Sequence, residues 1–144
     1  MYKPVYNIKI ETDASYAGRS DIYTAERDEK LISITHKVGG FMHKKDKPVT
    51  KKITDTEYQP IIEAFENIDF QKVFKESGDS FGCDGWCLKV TISKIMSGIS
   101  VSLWCPSKNS AIPETTKLLK ACDKIFDFFP EEYRKCLFQN NDYT

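Results

Sequence analysis

Trp86-Cys87-Leu88-Lys89-Val90-Thr91-Ile92-Ser93, followed after Ser97-Gly98 by Ile99-Ser100-Val101-Ser102-Leu103-Trp104-Cys105, decides the fold class. Trp86, Leu88, Val90 and Ile92 alternate with Cys87, Lys89, Thr91 and Ser93, and the return run alternates Ile99, Val101, Leu103 and Cys105 with Ser100, Ser102 and Trp104. Side chains on a strand point alternately to opposite faces, so this pattern predicts two strands with one face on a core and one in water. Ser97-Gly98 supplies the turn. Matching the apolar faces pairs Met96 with Ile99, Ile92 with Leu103 and Val90 with Cys105, and it sets Trp104 on the polar face opposite Thr91.

The N-terminal half repeats the pattern. Tyr6, Ile8 and Ile10 alternate with Asn7, Lys9 and Glu11 in a strand over 5 to 12, and strands over 21 to 26 and 31 to 38 complete a meander. Gly39-Gly40 tolerates positive φ at both centres of a tight turn, which pairs Val38 with Phe41 and sets His36 opposite His43. The strand after that turn is short, because Lys44-Lys45-Asp46-Lys47-Pro48 is polar and ends in a residue without an amide donor.

Two helices complete the set. Thr54-Asp55-Thr56-Glu57 is a capping box, and Ile61, Ile62, Phe65 and Ile68 follow at helical spacing while Glu63 and Glu66 face away, which predicts a helix near 56 to 68. Pro60 is close enough to the start to be tolerated. Pro113 opens a second helix near 114 to 129, with Leu118, Leu119, Cys122, Ile125, Phe126 and Phe129 on one stripe; Pro130 interrupts it and can start a short helix through Tyr133 and Leu137. The expected architecture is α+β: an antiparallel sheet of about six strands with these two helices packed on one face.

The chain has 144 residues, 40% hydrophobic and 29% charged, enough for one domain over 1–144 with a real core. Lys and Arg number 21 and so do Asp and Glu, so a globally basic nucleic-acid binder is disfavoured. The start of the chain lacks the apolar run of a signal peptide and no stretch approaches the roughly 20 apolar residues of a membrane helix, so the expectation is a cytoplasmic protein. Charge is nonetheless uneven. Residues 1–54 carry 11 basic and 7 acidic groups, 55–85 carry 2 and 8, and 86–144 carry 8 and 6. The acidic middle comprises Asp55, Glu57, Glu63, Glu66, Asp69, Glu76, Asp79 and Asp84, either a solvated helix face with its connector or a surface that steers a basic partner.

Other constellations compete with that surface. His36 and His43 across a hairpin, with Lys44 and Lys45 beside them, would supply an acid and a base to a small RNA-processing enzyme or bind RNA. Lys37, Lys47, Lys51 and Lys52 extend the basic run, which an edge strand kept soluble by lysines explains equally well. Cys83, Cys87 and Cys105 could gather into a disulfide or metal site, against the commoner outcome of separate thiols in a reducing compartment. Trp104, a large aromatic on a Ser-rich face, needs either a cover or a partner. Walker A, G-x-G-x-x-G, H-E-x-x-H, G-x-S-x-G and EF-hand patterns are absent from the sequence, so no catalytic residue, metal or cofactor is assigned.

Asp84-Gly85-Trp86-Cys87-Leu88-Lys89-Val90, Val101-Ser102-Leu103-Trp104-Cys105-Pro106 and the helix after them resemble small bacterial α+β proteins carrying D-G-x-W strands and a later W-x-P, with Trp86 here following Gly85 directly. Several proteins of this build are similar to immunity proteins that neutralise toxins passed between competing bacteria. The resemblance implies stoichiometric binding that blocks a toxin's active site or its access to substrate, and it transfers no residue by position. On charge and aromatic content the candidate partner-binding residues are Asp55, Glu57, Glu63, Glu66, Asp69, Asp84 and Trp104.

Overall fold

The computed structural model describes residues 7–14, 19–28, 31–39, 47–74, 87–94, 97–104, 106 and 112–129. Strands β1 (Asn7–Ala14), β2 (Arg19–Arg27), β3 (Ile32–Gly39) and β4 (Val49–Ile53) precede helices α1 (Asp55–Glu66) and α2 (Phe70–Phe74); β5 (Cys87–Ser93), β6 (Gly98–Trp104) and α3 (Pro113–Phe126) follow. The strands form one antiparallel six-stranded sheet in the order β4-β3-β2-β1-β5-β6. This is the α+β class that alternation and helical spacing predict.

Alternation decides which face is covered. Ile8 and Ile10 on β1, Tyr23 and Ala25 on β2, Ile32, Ile34 and Val38 on β3, Leu88, Val90 and Ile92 on β5, and Val101 and Leu103 on β6 are buried on one side. Against that side pack Tyr58, Ile61, Ile62 and Phe65 of α1, Val73 of α2, and Leu118, Leu119, Cys122, Ile125 and Phe126 of α3, forming one continuous core. The other side of the sheet is polar, with a Thr35–Thr50 hydroxyl contact at 3.1 Å and a Thr91–Ser100 contact at 3.3 Å.

The helix starts behave as their residues require. Thr54 Oγ1 accepts from the amide of Glu57, and Glu57 Oε1 accepts from the amide of Thr54, so the capping box is complete. α3 begins at Pro113, where no amide donor is needed. α2 was not expected from a connector read as polar; Phe70 and Val73 give it a short apolar side.

Two registers differ from expectation. β3 pairs with β4 so that His36 lies opposite Val49, not His43, and Gly39 continues β3 opposite Ser20. A Cβ on Gly39 would come within 2.9 Å of Ser20 Oγ, a side-chain end that can turn aside, and 3.9 Å of the Ser20 carbonyl oxygen. Pro48 accordingly precedes an edge strand, and residues 41–46 lie outside the described ones. On the other side of the sheet, Ile92 pairs with Ile99, Val90 with Val101 and Leu88 with Leu103, while Trp104 faces Cys87 and not Thr91. The amide of Lys94 donates to the carbonyl of Ser97 at 2.7 Å, closing the hairpin two residues earlier in the chain than face matching proposed.

Candidate functional site

Helix α1 owes its charge to its period. Its apolar side is consumed by the core, so Asp55, Glu57, Glu63 and Glu66 are left exposed, and Asp69 is exposed just beyond the helix. No Lys or Arg occurs between Asp55 and Gln71. Some of this charge is held locally: Asp55 pairs with Arg27, whose guanidinium also stands 5.4 Å over the Tyr58 ring, Glu57 is engaged in the cap, and Gln59 Nε2 donates to Glu63 Oε1 at 3.3 Å. Asp69 Oδ1 accepts from the amide of Gln71 at 3.1 Å. Arg27 therefore offsets the charge at the Asp55 end of the row, and these bonds fix the geometry of the rest.

Beside the row, an apolar cleft of about 220 Å³ opens between α1, α2 and the sheet, lined by Ile8, Ile62, Phe65, Ile68, Phe70 and Ile99. Glu66 and Lys94 also line it. The acidic row and an apolar recess thus share Glu66.

The other sequence candidates are dispersed. Trp104 is half-buried on the sheet side away from the helices, so it does not share a surface with the acidic row. Asp84, His43, Lys44, Lys45, Cys83 and Cys105 lie outside the described residues. Cys87 is half-buried, and among the described residues no group of three or more His, Cys, Asp or Glu side chains is placed to hold a metal ion. Cys122 is a core thiol whose ionisation burial strongly opposes, with the nearby Asp123 charge acting in the same direction.

His36 is not a solvent-facing base. It is 1% exposed, with Nε2 2.7 Å from Asp21 Oδ1, and Asp21 is 2% exposed. Tyr23 stacks on the imidazole at 4.3 Å between ring centroids, and Phe129 lies 5.3 Å away. Its two cross-strand neighbours are Tyr23 and Val49. This replaces the expected pair of histidines on a hairpin by a buried carboxyl–imidazole pair inside the core. The signal for it was the parity of the strands: Asp21 falls in step with Tyr23 and Ala25, and His36 with Ile32, Ile34 and Val38.

Glu114 also escaped the sequence reading. Buried at the start of α3, it accepts the Asp69 amide on Oε2 at 2.8 Å and the Lys117 ammonium on Oε1 at 2.9 Å. The Asp69 amide first, then Lys117, hold its carboxyl below the usual range. It ties the end of the acidic row to α3.

No protein-family model matches the chain, and no curated protein or solved structure is significantly similar to it. Among the described residues no helix is long and apolar enough to cross a membrane.

Proposed function

We propose that this chain is a cytoplasmic, non-enzymatic inhibitor of the immunity type, binding a basic toxin domain through the exposed side of α1 and so blocking its active site or the approach of its substrate. The observation that carries this reading is the exposed acidic row Asp55, Glu57, Glu63, Glu66 and Asp69, with no Lys or Arg in the sequence between Asp55 and Gln71 and with Arg27 paired at its Asp55 end. A single-sign row on a rigid helix attracts an oppositely charged partner at long range and disfavours wrong ones. The cleft at Glu66 suits an apolar anchor of the same partner, since affinity concentrates where a side chain fills a desolvated recess. A nuclease toxin has a basic substrate groove, which makes it the favoured class. Trp104, on the opposite side of the sheet, plays no part in this contact.

Titration calorimetry and stopped-flow association against basic nuclease toxin domains test the reading. A one-to-one complex is expected, with an association rate that falls with salt and drops about tenfold in the Glu63→Lys/Glu66→Lys variant. Binding indifferent to both the salt and the reversals would place the contact elsewhere, and turnover of a nucleic acid by the isolated protein would replace inhibition by catalysis.

A further inference from the structure

We infer that the outer edge of β6 pairs antiparallel with β6 of a second copy of this chain, joining two sheets into one. The two edges of the sheet are built differently. β4 is five residues long, follows Pro48 and carries Lys51 and Lys52, the usual protection against strand addition. β6, Gly98-Ile99-Ser100-Val101-Ser102-Leu103-Trp104, has seven residues, no charge and no proline. Among the described residues it has one strand neighbour, β5.

Its hydrogen-bonding groups are set by the hairpin. The Lys94–Ser97 bond closes a hydrogen-bonded pair, and antiparallel pairs alternate, so the backbone of Ile99, Val101 and Leu103 engages β5. The backbone N–H and C=O groups of Gly98, Ser100, Ser102 and Trp104 consequently point away from β5.

The sequence of β6 is palindromic in character about Val101. A two-fold axis there sets Ser100 against Ser102 of the second copy, Gly98 against Trp104, Ile99 against Leu103 and Val101 against itself. The Ser–Ser and Gly–Trp pairs are the ones whose backbone groups face outward, so roughly eight backbone hydrogen bonds form with the register in phase. Ile99, Val101 and Leu103 stay on the core side in both copies, and the Ser and Trp side chains stay on the polar side. Trp104, half-buried on its own sheet, would lie across the bare backbone of the facing Gly98, the arrangement by which a cross-strand aromatic compensates a glycine. On the core side, α2, which carries the 40% exposed Phe74, packs against β6.

This contact uses the sheet edge and not the acidic row, although Ile99 also lines the cleft beside Glu66, and sedimentation of the protein alone tests it. Between about 10 µM and about 1 mM the protein should pass from monomer to dimer, with little effect of salt because the joint holds no charge. Ser100→Pro removes an amide that does not serve β5, so the fold should persist by far-UV circular dichroism while the dimer weakens about 30-fold. Ser100→Lys/Ser102→Lys should abolish pairing by facing like charges, and Ser100→Lys/Ser102→Glu should restore it by facing opposite ones. A monomer throughout that range overturns the inference. So does a dimer indifferent to these variants, or one that dissociates in salt and on reversal of Glu63 and Glu66.

Discussion

Asp21 and His36 show how strand parity carries a polar pair into the core. The imidazole–carboxyl contact is enclosed by Tyr23 and Phe129, so removing one partner leaves the other buried without its counterpart. Asp21→Ala or His36→Ala should each cost about 3 kcal/mol of stability, and the Asp21→Leu/His36→Phe pair should recover most of it, as measured by urea unfolding. Additive losses in the double variant would show that the two side chains do not act together. The strand parity of both residues was legible in the sequence, and with it their burial. Their pairing was not, because it depends on which strands become neighbours. Glu114 makes a second prediction, in pH. Its folded carboxyl is held below the unfolded value by the Asp69 amide and Lys117, so it stabilises the native state above the usual carboxylate range and that contribution is lost as pH falls through the lower folded value. Glu114→Gln should therefore reduce stability at neutral pH and flatten the acid limb of the stability curve; an unchanged limb would mean the interaction survives protonation.

Elements were legible wherever short-range chemistry specifies them. The capping box at Thr54 and Glu57 placed the start of α1 within a residue, because both bonds are made between groups three residues apart. Thr54→Ala should lower stability by about 1 kcal/mol, read as a fall in thermal midpoint, with the acidic row left in place. A loss near zero would mean that packing of Tyr58, Ile61 and Phe65 holds α1 without its cap. Register was less legible, for a physical reason. A slide by an even number of residues leaves every side chain on its own face, so matching Ile, Val and Leu faces cannot separate Ile92–Leu103 from the observed Ile92–Ile99. The turn decides between them, and here it closes at Lys94 and Ser97. On β3 the Gly-Gly signal misled because Gly39 continues the strand opposite Ser20, and Lys51 and Lys52 after Pro48 concealed the strand that pairs with it. Lys51 faces the core side there, with its ammonium donating to the Phe128 carbonyl and lying 5.5 Å from the Phe129 ring centroid, so a charged residue occupies an inward position by extending past the edge.

At the scale of the molecule, the sheet order matters more than any single register. β1 lies between β2 and β5, so the N-terminal meander and the C-terminal hairpin are joined through one strand, and Ile8 and Ile10 on it are fully buried. Alternation predicts that β1 has an inner face but says nothing of its central place, which follows from long-range pairing. The consequence is cooperativity. Contacts across β1 and between α1 and α3 make the described core one cluster, so damage at its centre should be felt in both halves at once. Ile10→Ala should remove about 3 kcal/mol through lost burial and the cavity left behind. Both tryptophans, Trp86 and Trp104, belong to the C-terminal half of the chain, so their fluorescence reports on a region distant in sequence from the substitution, whereas far-UV circular dichroism reports on the whole. The two signals should shift together to a lower urea midpoint. A dichroism midpoint that falls while tryptophan fluorescence stays at its original value would mean that β5 and β6 hold together without β1, and that the chain folds as two units despite its continuous sheet.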